Sequence, residues 1–262
     1  MNILDKIIAH KKAEVAQRRQ AVPVTELEKA AFFSRTTFSL KDFLLDDTKT
    51  GIIAEFKRQS PSKGVINGQA DVATVTTAYT KHGASCLSVL TDEHFFGGST
   101  ADVIKARVNE IPILRKEFII DEYQLLEAKA MGADLILLIA ACLSVAEVKQ
   151  LAAFAKGLGL GVLLELHAEE ELGHIGADTE LVGINNRNLK TFEVDIQRSL
   201  KMAQQIPPDK VKIAESGISA VSTVRLFKEN GFRGFLMGEN FMKEADPGEA
   251  FAKFVRELNT PL

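Results

Sequence analysis

From Gly51 onward, eight short apolar runs alternate with eight stretches of helical period. The runs are 52–57, 86–90, 112–116, 135–139, 161–165, 181–185, 211–215 and 234–237. The helical stretches follow at 71–82, 100–108, 121–131, 144–156, 168–175, 195–205, 219–230 and 247–259. Short runs that are apolar throughout read as strands buried on both faces. Strict alternation with helices then requires parallel strands joined by right-handed crossovers. An open doubly wound sheet usually has fewer strands and carries a glycine-rich nucleotide turn early in the chain. Here the one glycine cluster, Gly157-Leu158-Gly159-Leu160-Gly161, follows a helix and precedes a strand, the reverse of that context. It reads as a helix stop and a turn. Eight βα units take about 250 residues, and the chain has 262. The expectation is one α/β domain, a (β/α)8 TIM barrel over 51–262, with a helical N-terminal extension over 1–50 packed on it.

Within that extension, 3–20 is an amphipathic helix with Ile3, Leu4, Ile7, Ile8 and Val15 apolar and Lys6, Lys11, Lys12, Glu14, Arg18 and Arg19 on the polar side. Pro23 ends it, and shorter helical pieces are expected at 25–31 and 40–45. A formal charge of −3 exerts no long-range pull on nucleic acid or an acidic membrane. The N-terminus has charges too early for a secretory signal, and the uncharged run at 135–145 is too short to span a bilayer. Cys86 and Cys142 lie in apolar strand-like contexts and read as small buried hydrophobes in a reducing compartment, not as a disulfide. A cytoplasmic monomer is expected, with no second barrel after the eighth helix.

Three of the apolar runs end in charge: Glu55 and Lys57 on the first, Lys116 on the third, Glu165 on the fifth. Strand side chains alternate faces, so Glu55 and Lys57 point the same way as Ile53, while Ile52, Ala54 and Phe56 face the helices, where positions must stay apolar. The same parity groups Lys116 with Leu114, Glu165 with Leu163, Asn185 with Gly183, and Glu215 with Ile213. These polar groups, with Arg187 nearby, therefore converge inside the barrel at its carboxyl end, where barrel enzymes keep their active sites. Ion pairs plugging the barrel top are the alternative. Apolar layers would serve stability as well, because buried ions carry a desolvation cost.

Two glycine turns follow the last two strands, Glu215-Ser216-Gly217-Ile218 and Met237-Gly238-Glu239-Asn240. Loops at those places frequently bind phosphate through backbone N–H groups. The segment Ser60-Pro61-Ser62-Lys63-Gly64 reads as a lid or a connection, and the loop 92–99 offers Phe95 or Phe96 to a ligand. His10, His82, His167 and His174 have no metal-ligand spacing, and Glu169, Glu170 and Glu171 read as a solvated helix face. No metal or organic cofactor is expected, and no serine elbow or Cys–His pattern is present.

Several strings resemble motifs of the indole-3-glycerol phosphate synthase family. They are Glu55-Phe56-Lys57-Arg58-Gln59-Ser60-Pro61-Ser62-Lys63-Gly64, Ser88-Val89-Leu90-Thr91-Asp92, Leu114-Arg115-Lys116-Glu117-Phe118-Ile119-Ile120-Asp121, Gly183-Ile184-Asn185-Asn186-Arg187-Asn188-Leu189 and Glu215-Ser216-Gly217-Ile218. They stand in family order over 50–242. The resemblance implies a lyase that closes the pyrrole ring of 1-(2-carboxyphenylamino)-1-deoxyribulose 5-phosphate with loss of carbon dioxide and water. It implies Lys116 as general acid and Glu165 as general base, with Glu55, Lys57, Asn185, Ser60, Arg187, Glu215 and Ser216 lining the site. It further implies phosphate at Gly217 and Gly238, a substrate-binding place for Glu239, and the aromatic ring beside Phe96, Phe118 and Leu137. Two features depart from the family pattern: Asn240 stands where a serine is frequent, and Leu172-Gly173-His174-Ile175-Gly176 is poor helix.

Two other functions compete. One is a different phosphosugar enzyme on the same barrel, an isomerase or a Schiff-base aldolase using Lys116 or Lys57. The other is a non-catalytic phosphate-ligand sensor, which would need the glycine turns but not both Lys116 and Glu165.

Overall fold

A computed structural model describes residues 3–188 and 193–260. Eight strands close into a barrel: β1 Ile52–Phe56, β2 Cys86–Leu90, β3 Ile113–Lys116, β4 Leu135–Ile139, β5 Gly161–Leu166, β6 Leu181–Asn185, β7 Val211–Glu215 and β8 Phe232–Met237. Each is parallel to its neighbours in chain order, and β1 pairs with β8 to close the ring. Register places Glu165 beside Gly183, Asn185 beside Glu215, and Glu215 beside Leu236. One turn of polar residues thus runs around the carboxyl end.

The alternation read from sequence sorts the side chains into two cores. Ile53, Leu114, Leu137, Leu163, Ile213 and Leu236 fill the barrel interior. Ile52, Ala54, Phe56, Ile136, Leu138, Val162 and Leu164 belong to the larger core between strands and helices. Arg115 breaks the expectation that helix-facing positions stay apolar, for it is completely buried on that side of β3. Its guanidinium donates to the Gln124 carbonyl at 2.6 Å, to Thr91 Oγ1 at 3.2 Å and to Glu127 at 3.1 Å. A buried cation is tolerable there because each of its three nitrogens meets an acceptor.

Helix starts are set by side-chain caps. Asp71, Asp121, Asp195 and Asp246 each accept from a first-turn backbone N–H, and Ser144 forms a capping box with Glu147. The helix expected at 168–175 is instead a 3₁₀ turn, Glu169–His174. Three adjacent glutamates, an uncapped start and glycines at 173 and 176 leave too little to propagate an α-helix. The expected solvated face is also not what Glu171 provides, since its carboxylate accepts from the His167 backbone N–H at 2.6 Å. Cys142 lies in a half-buried turn after β4, not a strand, and burial pushes its thiol up to about 12.

Residues 3–50 cover both ends of the barrel. The helix Leu40–Leu45, capped by Ser39, puts Leu40 and Leu44 into the interior core, with Leu44 against Gly234 of β8. The expected helix at 25–31 is shorter, Val24–Leu27, and gives way to turns. Helix α1, Ile3–Ala21, lies across the opposite end and lends Ile3, Leu4 and Ile7 to a cavity there. Its buried residues are Ile7, Lys11 and Val15, so Lys11 does not sit on the polar side as its charge suggested. Among the described residues no helix is long and apolar enough to cross a membrane.

Candidate active site

The cavity at the carboxyl end of the barrel has a volume of about 370 Å³. Glu55, Lys57, Lys116, Glu165, Asn185 and Glu215 form its polar floor, and Ser60, Arg187, Ser216, Gly217, Gly238 and Glu239 form the rim. Phe96, Phe118 and Leu137 make an apolar wall, with the two aromatic rings 5.8 Å apart. All the residues expected at a site therefore meet in one place. Of the two loop aromatics, Phe96 reaches the cavity, while Phe95 packs edge-on against His10 and His94. Leu189 of the sixth-strand motif lies outside the described residues.

Two lysine–carboxylate groups share the floor. Lys57 Nζ is 2.7 Å from Glu55 Oε1. Lys116 Nζ lies between two buried glutamates, 2.9 Å from Glu165 Oε2 and 3.3 Å from Glu215 Oε2. Asn185 Nδ2 donates to Glu165 Oε1 at 3.0 Å, and His167 Nε2 is 3.0 Å from the same oxygen. The backbone N–H of Arg187 donates to Asn185 Oδ1, which fixes the amide's orientation.

This arrangement drives the two glutamates apart. Burial disfavours ionisation of both. For Glu165 the Lys116 ammonium outweighs burial with help from His167 and Asn185, so its carboxyl stays well below the usual carboxylate range. For Glu215, burial comes first and the Glu165 charge second; Lys116 does not compensate, and the carboxyl is pushed up to about 8. Burial alone would lower Lys116, but Glu165, Glu215 and Glu55 together raise it above its ordinary value. At neutral pH the floor therefore holds an ammonium, a carboxylate and a neutral carboxylic acid within hydrogen-bond reach of one another.

Local backbone makes room for this. A Cβ on Gly183 would run into the Glu215 carboxyl, so the glycine of β6 makes room for that group in the position it holds. Ser216, with φ 66°, is the one non-glycine residue with positive φ among the described residues, and Gly217 follows it with φ 70°. A Cβ on Gly217 would meet Val194 Cγ1 at 2.4 Å. The glycine is thus needed for the turn and its packing before any ligand enters. Glu239 does more than the rim position suggested: its carboxylate faces Lys63 at 3.5 Å and Arg187 at 3.8 Å, linking the loops after β1 and β6. Asn240 Nδ2 donates to the Ser219 carbonyl at 3.4 Å, tying the two glycine turns together.

Sequence reasoning missed His167, Lys243 and the α1 residues Ile3, Leu4 and Ile7, which also line the cavity. His167 was within reach of it, since it stands two residues beyond Glu165, immediately after the end of β5. Among the described residues no cluster of three or more His, Cys, Asp or Glu side chains has the geometry to hold a metal ion.

Residues 4–258 match the family model described as Indole-3-glycerol phosphate synthase. The indole-3-glycerol phosphate synthase of Bacteroides thetaiotaomicron is 47% identical over 258 residues, covering 98% of this chain and 99% of the relative. That of Chromobacterium violaceum is 45% identical, covering 96% of this chain and 97% of the relative. Among solved structures, the Pyrococcus furiosus tryptophan synthase complex aligns with a TM-score of 0.59 at 18% identity, over 79% of this chain and 97% of that one. Tryptophan synthase subunit alpha from Legionella pneumophila aligns with a TM-score of 0.61 at 13% identity, over 84% and 96%. At such identities these two structures speak for the barrel and not for the chemistry.

Proposed function

The chain belongs to the indole-3-glycerol phosphate synthase family, and on that premise we propose that Lys116 and Glu165 divide the proton transfers of its reaction. That reaction converts 1-(2-carboxyphenylamino)-1-deoxyribulose 5-phosphate to indole-3-glycerol phosphate in tryptophan biosynthesis. The ring carbon bearing the carboxylate attacks the ketone carbon, and the carbonyl oxygen gains negative charge. The Lys116 ammonium stabilises that oxygen and gives it a proton. Carbon dioxide leaves from the same ring carbon and its bonding electrons return to the ring. The new hydroxyl then departs as water, taking a proton from Lys116 once the neighbouring Glu215 carboxylic acid has recharged it, while Glu165 takes the proton whose loss completes the pyrrole.

The observation that carries this reading is Lys116 held 2.9 Å from Glu165 and 3.3 Å from Glu215, two buried glutamates whose carboxyls their surroundings drive in opposite directions. Titrating groups driven apart by their surroundings mark acid and base roles. Glu215, keeping its proton, serves as a hydrogen-bond donor to substrate. Asn185 holds Glu165 in place, and the Lys57–Glu55 pair presents a second cation to the substrate carboxylate. The anthranilate ring takes the wall of Phe96, Phe118 and Leu137. Phosphate takes the turns at Ser216, Gly217 and Gly238, within range of Arg187. A Schiff-base route needs Lys116 as a neutral amine, and the negative charges of Glu165 and Glu55 oppose that. The reading is of a cytoplasmic, monomeric enzyme whose partner is this small molecule, and sedimentation of the purified protein tests the monomer.

The test is conversion of the carboxyphenylamino substrate to an indole in the presence of EDTA, followed by fluorescence. The chain has no Trp and two Tyr, so the background is low. Lys116→Ala should lower kcat by about 10²–10⁴ with a smaller change in KM, as expected for a group acting mainly in the transition state. Loss of affinity at a preserved kcat would make Lys116 a carboxylate clamp and pass the acid role to Lys57. A requirement for added divalent metal would refute the cofactor-free route.

A further inference from the structure

Lys11 is completely buried, yet it belongs to the N-terminal helix and has no place in the proton transfers above. Its ammonium lies 3.0 Å from Asp92 Oδ2, 3.0 Å from Glu117 Oε1 and 2.8 Å from Glu14 Oε2. Asp92 follows β2 and Glu117 follows β3, so one cation joins α1 to two separate loops of the barrel mouth. Neither carboxylate ends there. Asp92 Oδ1 caps the short helix Glu93–Phe96, accepting the backbone N–H of Phe95 at 2.7 Å and of Phe96 at 3.2 Å. Glu117 Oε1 accepts the backbone N–H of Phe118 at 2.9 Å, and its Oε2 accepts from Thr91 Oγ1 at 2.7 Å. The two carboxylates that grip Lys11 therefore also hold the backbone of both aromatic residues in the apolar wall. One and two turns back along α1, on the face that Lys11 shares, Ile7 and Leu4 reach the same cavity.

We propose that Lys11 is a positioning residue for the substrate's aromatic ring, setting the spacing of Phe96 and Phe118 through Asp92 and Glu117 while holding Ile7 and Leu4 over them. The inference rests on the reading that Phe96 and Phe118 hold that ring. The charge state suits the role: burial opposes the ammonium, but Glu117, Glu14 and Asp92 raise Lys11 above its ordinary value. The pin stays charged wherever the enzyme works. Exposed ion pairs elsewhere on α1, such as Arg19 with Asp121, hold the helix to the barrel without touching the cavity.

Steady-state kinetics on the full chain separate positioning from general anchoring. Lys11→Met should raise KM about tenfold, leave kcat within about threefold, and leave the inhibition constant of inorganic phosphate unchanged, because the turns at Ser216 and Gly238 do not depend on Lys11. Arg19→Gln, which loosens α1 at its exposed end, should change none of the three. A wild-type KM in folded Lys11→Met overturns the inference. So does a phosphate constant that rises in step with KM, for that is the behaviour of a loosened barrel. If Lys11→Met does not fold because Asp92 and Glu117 are left facing each other, Lys11→Met combined with Glu117→Gln removes one charge, and the same KM and phosphate criteria apply. Phe118→Ala tells the two readings apart. A raised KM there beside a wild-type KM in Lys11→Met overturns the pin alone; an unchanged KM in Phe118→Ala removes the ring site and the pin with it.

Discussion

Replacing Glu215 by glutamine should make the protein more stable and less active, and the gain should grow with pH. Glu215 is 1% exposed, faces the Glu165 carboxylate, and keeps its proton to about 8 against an ordinary value of 4.5. Between those values the folded protein binds a proton that the unfolded chain has released. Stability therefore falls as pH rises through that window. At about 1.4 kcal/mol per pH unit, the penalty is about 3 kcal/mol at pH 7 and levels off near 5 kcal/mol by pH 9. Glutamine has nearly the same shape and no charge to bury, and Lys116 keeps its bond to Glu165. Glu215→Gln should match the wild type near pH 4.5 and exceed it by about 3 kcal/mol at pH 7 and about 5 kcal/mol at pH 9. Equilibrium urea unfolding followed by far-UV circular dichroism measures this, as the chain has no Trp to report. A difference that stays flat with pH, or a variant weaker than the wild type at pH 9, refutes the assignment of a neutral Glu215. The same variant should lose at least about tenfold in kcat, the exchange of activity for stability expected where an active site holds strained charge.

Strand positions, their parity and the charged strand ends were legible because the runs are short, apolar throughout and bounded by turns, so that a terminal charge stands out. Parity then carried Glu55, Lys116, Glu165, Asn185 and Glu215 into one cavity without any contact information. What stayed hidden depends on partners far away in sequence. Nothing local distinguishes Lys11 from Lys12, yet one is fully buried and the other exposed, because Asp92 and Glu117 wait for the first. Arg115 was equally opaque: its buried position is stable only with Thr91 and the helix carrying Gln124 and Glu127 beside it. An amphipathic stripe likewise says that Ile3, Leu4 and Ile7 are covered but not which end of the barrel covers them. The opposite charges of the Lys116 cluster are visible in the sequence; that Glu215 stays neutral while Glu165 ionises is not. That difference arises from unequal distances to one ammonium, 2.9 Å and 3.3 Å, and from His167 and Asn185 serving only one of the pair.

Glu165→Gln should slow dehydration more than ring closure, since the amide keeps the bond to Lys116 but cannot accept a proton; single-turnover analysis with an unchanged dehydration step would remove Glu165 from the base role. Ser216→Gly should uncouple backbone strain from ligand binding. Ser216 holds φ 66°, which costs a residue with a Cβ about 1 kcal/mol, so glycine should raise urea stability by about that amount. If the serine hydroxyl meets the substrate phosphate, the same change should raise KM about tenfold through loss of a charge-assisted hydrogen bond. A stabilised variant with a wild-type KM would mean that the backbone of the turn holds the phosphate and the hydroxyl does not, whereas no gain in stability would show that the surrounding turn imposes the same strain on glycine.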